Sequence, residues 1–521
     1  MIAEVRDLLD RQLGRVTMYR LVTIVLSMLA AIYIVFSATG VIDGVSVKHE
    51  LLSLAVLLVV SYGSNRIYAF AWRIKPHSES SIITGLLLFF LFVPMLFTDL
   101  DSYLWLAAAA ALANLSKYVL AWRGRHIFNP AAAGAFLVYA AQQIAGRDFG
   151  TTAIWQSAAS DKMLPFVVVG AFLVLWRTRR IDVGLLFIVL AAVLTAVALN
   201  DRTPGLGDAT ESTFKSYPVI FLAGFMLSEP LTLPPRRKQQ LVVAAVVAMV
   251  FAYPSYITLL TDTPPDLGWF MGQPQELALL VGNLVAFAFS RRRGVALDLV
   301  AKRQLTPETH EFTFRPRRPV AFQPGQFAEL TVPHKGSDGR GMRRSFSISS
   351  PPDADGNVTF ALRVPEKSSS FKRAMVDLEP GARIHATGVG GDFVLPKDPA
   401  VPVVLIAGGI GITPFISQLL HEPKRDAVLV YGVTSPEEIP YADVLAGFKV
   451  VIVSPVAPDQ LPTRWRHVEA PFVSVDLVAT AVPDLDQRLA YISGPPAMVN
   501  AVRAGLVKRC KRVKTDYFTG Y

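Results

Sequence analysis

Two hydrophobic patterns divide this chain near residue 290. Before that point the apolar residues form long runs, and several approach the roughly 20 residues that cross a bilayer as a helix. After it, short alternating segments are separated by turns, a pattern typical of strands. The sequence therefore predicts a polytopic α-helical membrane domain at residues 1–293, followed by a mixed α/β region.

About ten membrane spans are predicted from hydropathy. Arg and Lys cluster after every second run, whereas the alternate links are acidic or polar. Because cytoplasmic loops carry an excess of Lys and Arg, the alternation predicts a multi-pass protein of the inner, cytoplasmic membrane. Both termini and the C-terminal region are expected in the cytoplasm. The predicted spans are Val16–Phe36, Leu51–Trp72, Ser81–Phe97, Ser102–Trp122, Pro130–Ile144, Leu164–Trp176, Asp182–Ala198, Tyr217–Leu231, Leu241–Leu260 and Glu276–Phe289.

Composition narrows the partners that we expect. Hydrophobic residues make up 52% of the 521 positions and the formal net charge is +10. The arginines lie at the ends of apolar runs, so the charge indicates a lipid bilayer and no nucleic acid. The single cysteine, Cys510, argues against an iron–sulfur cluster held by four thiolates in this chain. The membrane half has only His49, His77 and His126, all at span ends, so no haem relay is expected.

A strand-like segment, Arg343–Ser350, carries candidate flavin chemistry. Arg344 can clamp a phosphate with its fork of donors. After Ser345, the ring of Phe346 can pack on a flat heterocycle and the hydroxyl of Ser347 can hydrogen-bond a ring nitrogen. An amphipathic strand with a surface arginine is the alternative interpretation.

Three later turns carry candidate phosphate-binding groups. Ser368, Ser369 and Ser370 stand at a predicted helix start, where they either bind a phosphate or act as a helix cap. The run Val401–Phe415 reads as a buried strand, a glycine turn and a helix, although it is not the G-x-G-x-x-G fingerprint. A third strand and turn follow at Arg488–Val499. The alternation predicts a doubly wound domain with its ligand at the carboxyl ends of the strands. The residues of these two turns are Gly408, Gly409, Gly411, Thr413, Ser493, Gly494 and Pro495.

The motifs Arg344–Ser347, Gly408–Pro414 and Ser493–Val499 together resemble the ferredoxin–NADP reductase superfamily over Leu297–Tyr521. The resemblance implies FAD on an antiparallel β-barrel at residues 294–398. It also implies NADH or NADPH on an α/β doubly wound domain at residues 399–521.

The same resemblance implies roles for individual residues. Arg344 would contact the FAD phosphate, Phe346 would pack on FAD, and Ser347 would approach the reactive flavin edge. Ser493 stands where many relatives have a cysteine close to the hydride path. The pyridine dinucleotide would be held by the glycine-turn residues Gly408, Gly409, Gly411 and Thr413.

Two features bear on the nicotinamide substrate. Phe518 or Tyr521 could gate nicotinamide access, because some relatives lay a terminal aromatic ring on the flavin. The segment Thr434–Glu438 follows a predicted strand and contains acidic residues but no arginine. Since an acidic group repels a 2′-phosphate, this segment favours NADH.

Three polar stretches interrupt the membrane half. They are Ser80–Leu88 with Thr84, His126–Gly134 with Asn129, and Leu227–Pro235 with Glu229. Helix capping, close packing and a helix break explain them structurally, but an ionisable residue inside a span is a functional candidate.

In this order the three stretches resemble the paired membrane flavoproteins of two ion-pumping complexes, the Rnf ferredoxin:NAD complex and the sodium-pumping NADH:quinone reductase. The resemblance implies a membrane-embedded FMN and one-electron transfer. That family attaches FMN to a threonine in a Ser/Thr-Gly/Ala-Ala-Thr motif, which the loop Asp148–Trp155 lacks. Thr152 is the candidate for attachment, and a non-covalent FMN or a plain polar loop is the alternative.

The predicted function is a membrane-bound NAD(P)H oxidoreductase. Electrons pass from NAD(P)H through FAD to a membrane flavin, and then to a quinone or an extracytoplasmic acceptor. One alternative is a redox-driven Na⁺ or H⁺ pump. Another is a membrane flavin carrier or channel with an attached reductase.

Overall fold

The structure is a computed structural model in which residues 15–291 form one compact unit and residues 292–521 form the main part of a second. It describes residues 13, 18–44, 46–73, 78–92, 100–122, 125–146, 155, 160–200, 205–234, 236–261, 272–290, 295–335, 342–352 and 356–517.

The first unit is helical. A short hairpin, β1 (Ala121–Trp122) with β2 (Arg125–His126), interrupts the helices. A π-helical segment, Leu222–Leu227, directly extends the ninth helix. The described helices are α1 (Met18–Ala38), α2 (Val47–Ala71), α3 (Ser78–Leu91), α4 (Leu100–Val119), α5 (Pro130–Ile144), α6 (Leu164–Thr178), α7 (Ile181–Leu199), α8 (Leu206–Ser216), α9 (Val219–Phe221), α10 (Arg237–Leu260) and α11 (Pro274–Ser290).

The predicted count of about ten spans is not supported. Among the described residues, four helices are long and apolar enough to cross a membrane: Met18–Ala38, Val47–Ala71, Ile181–Leu199 and Arg237–Ile257. Other runs fold into shorter helices, such as the 14 residues of α3 and the 15 residues of α6. Hydropathy counts an apolar run whether it folds as one straight helix or as a broken one, and about 20 helical residues are needed to span.

Helix α2 buries polar side chains and exposes apolar ones. It buries the polar side chains of Glu50, Ser53, Ser61 and Asn65 while Val59, Ile67 and Phe70 are among its most exposed residues. A helix on the surface of a water-soluble bundle shows the opposite arrangement. The outward apolar face therefore favours association with a membrane, where polar residues turn toward the bundle interior.

The second unit begins with a six-stranded antiparallel sheet in the order β6-β5-β8-β3-β4-β7. An isolated bridge between Ile348 and Phe360 links the two edges of this sheet. Its core is aromatic, with Phe312, Phe314 and Phe360 fully buried. A short helix, α12 (Ser370–Val376), packs on the sheet through Phe371 and Met375. The strands are β3 (Val295–Thr306), β4 (Thr309–Pro316), β5 (Phe327–Thr331), β6 (Arg343–Ser347), β7 (Val358–Arg363) and β8 (Arg383–Gly390).

A six-stranded parallel sheet follows, in the order β12-β11-β10-β9-β13-β14. Its central strand β9 is buried at every residue, as expected for a strand covered on both faces. The chain order reverses between β9 and β13, and such a switch point opens a ligand crevice at the carboxyl ends of the strands. The elements are β9 (Val403–Gly408), α13 (Thr413–His421), β10 (Ala427–Gly432), α14 (Ala442–Leu445), β11 (Lys449–Ser454), β12 (Trp465–Glu469), α15 (Val475–Ala481), β13 (Leu489–Gly494), α16 (Pro496–Leu506) and β14 (Arg512–Tyr517).

Candidate functional site

Two turns meet at the switch point of the parallel sheet. One follows β9 and leads into α13, and the other follows β13 and leads into α16. The strands are paired, with Ala407 opposite Ser493, so the turns lie side by side. Gly411 allows this approach, because a Cβ at that position would lie 2.4 Å from the carbonyl oxygen of Ser493. A Cβ at Gly408 would lie 2.5 Å from the sulfur of Met498.

Gly409 forms the open part of this crevice. Its φ is +51°, a left-handed conformation that favours glycine, and nothing lies within 4 Å of the position that a Cβ would take. Its carbonyl accepts a hydrogen bond of 3.0 Å from the hydroxyl of Tyr431 on β10. Tyr431 is fully buried, so this bond attaches the glycine turn to strand β10 inside the domain. Tyr431 was not predicted from the sequence, although an aromatic residue before Gly432 at a strand end was the available signal.

The two hydroxyl residues of these turns differ in their partners. The hydroxyl of Thr413 donates to the carbonyl of Ile410 at 3.1 Å, so it closes the turn. The hydroxyl of Ser493 is fully buried and has no hydrogen-bond partner among the described residues. An unused hydroxyl beside an open glycine turn fits a bound dinucleotide, since buried polar groups normally have partners. The direct ligand roles of Gly494 and Pro495 stay predictions.

Burial along the predicted flavin strand β6 does not follow a simple alternation. Arg344 and Ser347 are buried, whereas Ser345 and Phe346 are half-buried. Phe346 stacks on Phe371 with ring centroids 5.6 Å apart and an angle of 26° between the rings. The guanidinium of Arg344 lies 5.5 Å from the centre of the Phe371 ring.

Phe371 therefore joins the cation and the aromatic ring of β6 into one cluster. It was not predicted from the sequence, because its position in α12 shows no relation to β6 until the chain folds. A guanidinium and a half-exposed aromatic ring are the groups that a phosphate and a flat heterocycle require, so the cluster fits a flavin dinucleotide.

The three serines near α12 have local partners. The hydroxyl oxygen of Ser369 accepts from the backbone N–H of Lys372 at 3.4 Å, which makes it the helix cap. The hydroxyl of Ser370 lies 3.0 Å from the Nε2 atom of His334. Because α12 has only seven residues, its dipole is small, and a phosphate on Ser368, Ser369 or Ser370 stays a prediction.

In the helical unit the second and third polar stretches meet at Glu229. One carboxylate oxygen of Glu229 lies 3.0 Å from the Nε2 atom of His126, and the other accepts from the side-chain amide of Asn129 at 3.1 Å. The backbone N–H of Asn129 donates to the side-chain oxygen of Asn283 at 2.7 Å. Thr84, in the first stretch, donates to the carbonyl of Ser80 at 2.8 Å.

The Asn129–Glu229 bond joins the N-terminus of α5 to the segment after the π-helical residues, whereas the Thr84 bond lies within α3. The described polar atoms of Thr84, Asn129 and Glu229 therefore already bind protein groups. Asn283 was not predicted from the sequence, where it looked like an ordinary residue of an apolar run. An FMN contact by these residues stays a prediction.

Three predicted cofactor residues, Thr152, Phe518 and Tyr521, lie outside the described residues. Trp155, at the end of the loop that contains Thr152, is described and fully buried. Its indole N–H donates to the carboxylate of Glu276 at 2.7 Å, and its backbone N–H donates to the carbonyl of Leu91 at 2.9 Å.

Comparison with known proteins identifies a family model and several relatives that match the second unit. Residues 405–504 match the family model described as the oxidoreductase NAD-binding domain. The reductase subunit of an aromatic O-demethylase from Amycolatopsis sp. is 32% identical, over 39% of this chain and 62% of the relative. The reductase component of propane 2-monooxygenase from Mycolicibacterium smegmatis is 30% identical, over 41% of this chain and 65% of the relative. Ferredoxin–NADP reductase B from Sorangium cellulosum is 31% identical, over 38% of this chain and 81% of the relative. The chain thus spans less than two thirds of the first two relatives.

These relatives contradict the predicted partners. The prediction named a quinone or an extracytoplasmic acceptor and expected no iron–sulfur cluster or haem within this chain. The first two relatives are named as the reductase parts of an O-demethylase and of a monooxygenase, and neither name points to a quinone. The prediction was wrong because hydropathy and a cysteine count describe one chain and carry no information about an acceptor on another.

Proposed function

This chain belongs to the ferredoxin–NADP reductase family through its C-terminal region, and from that premise we propose that it is a membrane-associated NAD(P)H oxidoreductase that uses FAD to supply electrons to another redox centre. The observation that carries the proposal is the pair of turns at the switch point. The turn with the open glycine conformation at Gly409 lies beside the end of β13, where the buried hydroxyl of Ser493 has no hydrogen-bond partner among the described residues.

The residues of β6 would hold FAD. Arg344 supplies a fixed cation with several N–H donors for a phosphate, and Phe371 keeps the guanidinium and the Phe346 ring in place. Bound FAD would supply the conversion between a two-electron hydride donor and one-electron acceptors. Ser347 is buried on the same strand and would lie at the flavin edge, as predicted from the sequence.

The two glycine turns would hold the nicotinamide dinucleotide. Gly409 leaves space for the pyrophosphate, and the N-terminus of α13 offers backbone N–H groups to it. Ser493 would offer its hydroxyl to the bound dinucleotide from the end of β13. Thr413 keeps the turn closed through its bond to Ile410.

We place the helical unit in the inner membrane, with the reductase region in the cytoplasm. The four long apolar helices and the buried polar side chains of α2 support membrane association, and the Lys and Arg that follow alternate apolar runs favour a cytoplasmic C-terminal region. FMN is the second carrier that the resemblance of this unit suggests, with Thr152 as its attachment candidate. Because Thr84, Asn129 and Glu229 already bond protein groups, we assign them no step toward FMN.

A second candidate is a reductase component that serves a separate oxygenase. The names of the O-demethylase and monooxygenase relatives favour it. In that case the electrons would leave FAD for a partner protein without passing through the helical unit.

Flavin extraction tests the proposal. The full-length chain is purified in detergent, and flavins are measured before and after acid precipitation. One FAD per chain is expected in the supernatant, together with NAD(P)H-dependent reduction of ferricyanide. A second flavin, either released or retained in the pellet, supports the membrane carrier. FAD alone favours the separate-oxygenase candidate, and the absence of both FAD and ferricyanide reduction contradicts the proposal.

Replacing Tyr431 with phenylalanine is expected to weaken nicotinamide binding. The change removes the donor to the Gly409 carbonyl, so the glycine turn loses the bond that fixes it. A neutral hydrogen bond contributes about 1 kcal/mol, so the KM for the nicotinamide substrate should rise about fivefold while kcat changes less than twofold. Steady-state ferricyanide reduction measures both constants.

Tyr491→Phe is the matched control. Tyr491 lies on β13 of the same sheet, is equally buried, and donates to the Val394 carbonyl at 3.0 Å, away from the glycine turn. It should keep the wild-type KM. A wild-type KM in Tyr431→Phe as well would show that the Tyr431 bond does not contribute to nicotinamide binding.

A further inference from the structure

The carboxyl edge of the parallel sheet carries acidic residues where an adenosine ribose is expected. The loop 434–438 follows β10 and contains Glu437 and Glu438, and the loop 455–459 follows β11 and contains Asp459. Neither loop contains a lysine or an arginine. The last residue of β12 is also acidic, Glu469, and it is paired with Ser454 at the end of β11.

These loops are adjacent to the glycine turn. Gly408 at the end of β9 is paired with Gly432 at the end of β10. The backbone N–H of Val433 donates to the carbonyl of Val453 at 3.0 Å, which joins the end of β10 to the end of β11. A dinucleotide whose pyrophosphate lies on the turn after β9 therefore extends its ribose over the ends of β10 and β11.

Arg363, which contacts loop 434–438, is already engaged by carboxylates. One nitrogen of Arg363 donates to Glu438 at 2.9 Å, and another donates to Glu308 at 2.8 Å. On β12, His467 places its Nε2 atom 3.1 Å from both the hydroxyl and the carbonyl oxygen of Ser454. Both side chains are thus committed to protein groups.

Glu437 is exposed, whereas its neighbour Glu438 is half-buried and paired with Arg363. The carboxylate of Glu437 accepts a hydrogen bond from the hydroxyl of Ser435, which lies in the same turn. That bond, followed by one from the backbone, lowers the pKa of Glu437. The group is therefore ionised at neutral pH.

We propose that the nicotinamide substrate is NADH, and that Glu437 with its neighbouring acids excludes the 2′-phosphate of NADPH. A carboxylate accepts a hydrogen bond from a ribose 2′-hydroxyl but repels a phosphate that carries nearly two negative charges. This inference rests on the proposed oxidoreductase function and adds the identity of the substrate. The substrate proposed here, NADH, differs from the NADP in the family's name.

The test is a coenzyme comparison on the full-length chain in detergent, with ferricyanide as acceptor. We expect kcat/KM for NADH to exceed that for NADPH by about 100-fold at low salt. Glu437→Gln should raise kcat/KM for NADPH about fivefold, and Glu437→Arg should raise it more. The Debye length is about 10 Å at 0.1 M salt, so added NaCl screens the repulsion between the carboxylates and the 2′-phosphate. The ratio of kcat/KM for NADH to kcat/KM for NADPH should therefore fall in the wild type as NaCl is added.

Glu366→Gln is the control, since Glu366 is an exposed acid outside these loops. It should leave the NADH:NADPH ratio unchanged. If both coenzymes are used equally, the NADH assignment is overturned while the oxidoreductase function stands. If NADH is preferred but neither Glu437 variant shifts the ratio, the role of Glu437 is overturned. If neither coenzyme reduces ferricyanide, the proposed function itself fails.

Discussion

Replacing Gly411 with alanine is expected to abolish NADH oxidation and to leave FAD in place. The added Cβ would lie 2.4 Å from the carbonyl oxygen of Ser493 and 2.7 Å from the Cα atom of Gly494. Both are backbone atoms, so the turn after β13 must shift to make room. A displacement of about 1 Å can cost about 100-fold in rate when it separates reacting groups, so kcat/KM for NADH should fall by at least that factor.

Two measurements separate this effect from general unfolding. FAD content after gel filtration should equal that of the wild type, because Gly411 lies in the parallel-sheet region and not in the β6 cluster. Gly447→Ala is the control, since a Cβ there meets nothing closer than the Val444 carbonyl oxygen at 3.8 Å. Wild-type kcat/KM in Gly411→Ala would show that the two turns do not need their close approach.

The reductase region was largely predictable, because its strands are short-range patterns with turn residues between them. The buried run before Gly408 predicted β9, and the glycines predicted the turn that follows. The pairing of β9 with β13 depends on residues more than 80 positions apart, so no local pattern contains it. Tyr431 and Phe371 were missed for this reason, since their importance comes from contacts made only in the folded chain.

The helical unit was less predictable. Apolar runs marked where helices form, but the run Tyr217–Leu231 folds as α9 and a π-helical segment, a break that hydropathy does not register. The polar stretches were recognised one at a time. Their meeting at Glu229 joins residues about 100 positions apart, and it shows Asn129 and Glu229 bonded to each other.

Replacing Arg344 with glutamine is expected to release FAD from the purified chain. Arg344 is a buried cation, 8% exposed, whose guanidinium lies against the Phe371 ring. Glutamine retains a polar end but loses the charge and the fork that bind a phosphate. Hydrogen bonds to charged groups contribute about 1.5–3 kcal/mol, so FAD affinity should fall between about tenfold and 100-fold. FAD content after gel filtration and a titration of flavin fluorescence measure the loss.

The neighbouring residue provides the control, because successive side chains of a strand point to opposite faces. Arg343 is half-buried beside the buried Arg344, so Arg343→Gln removes the same charge from the other face of β6. It should retain FAD at the wild-type ratio. Added FAD should restore NADH oxidation in Arg344→Gln at high concentration, which an unfolded barrel would not allow. If Arg344→Gln binds stoichiometric FAD with wild-type affinity, Arg344 is not part of the flavin site. The phosphate would then have to be held by other groups of the barrel.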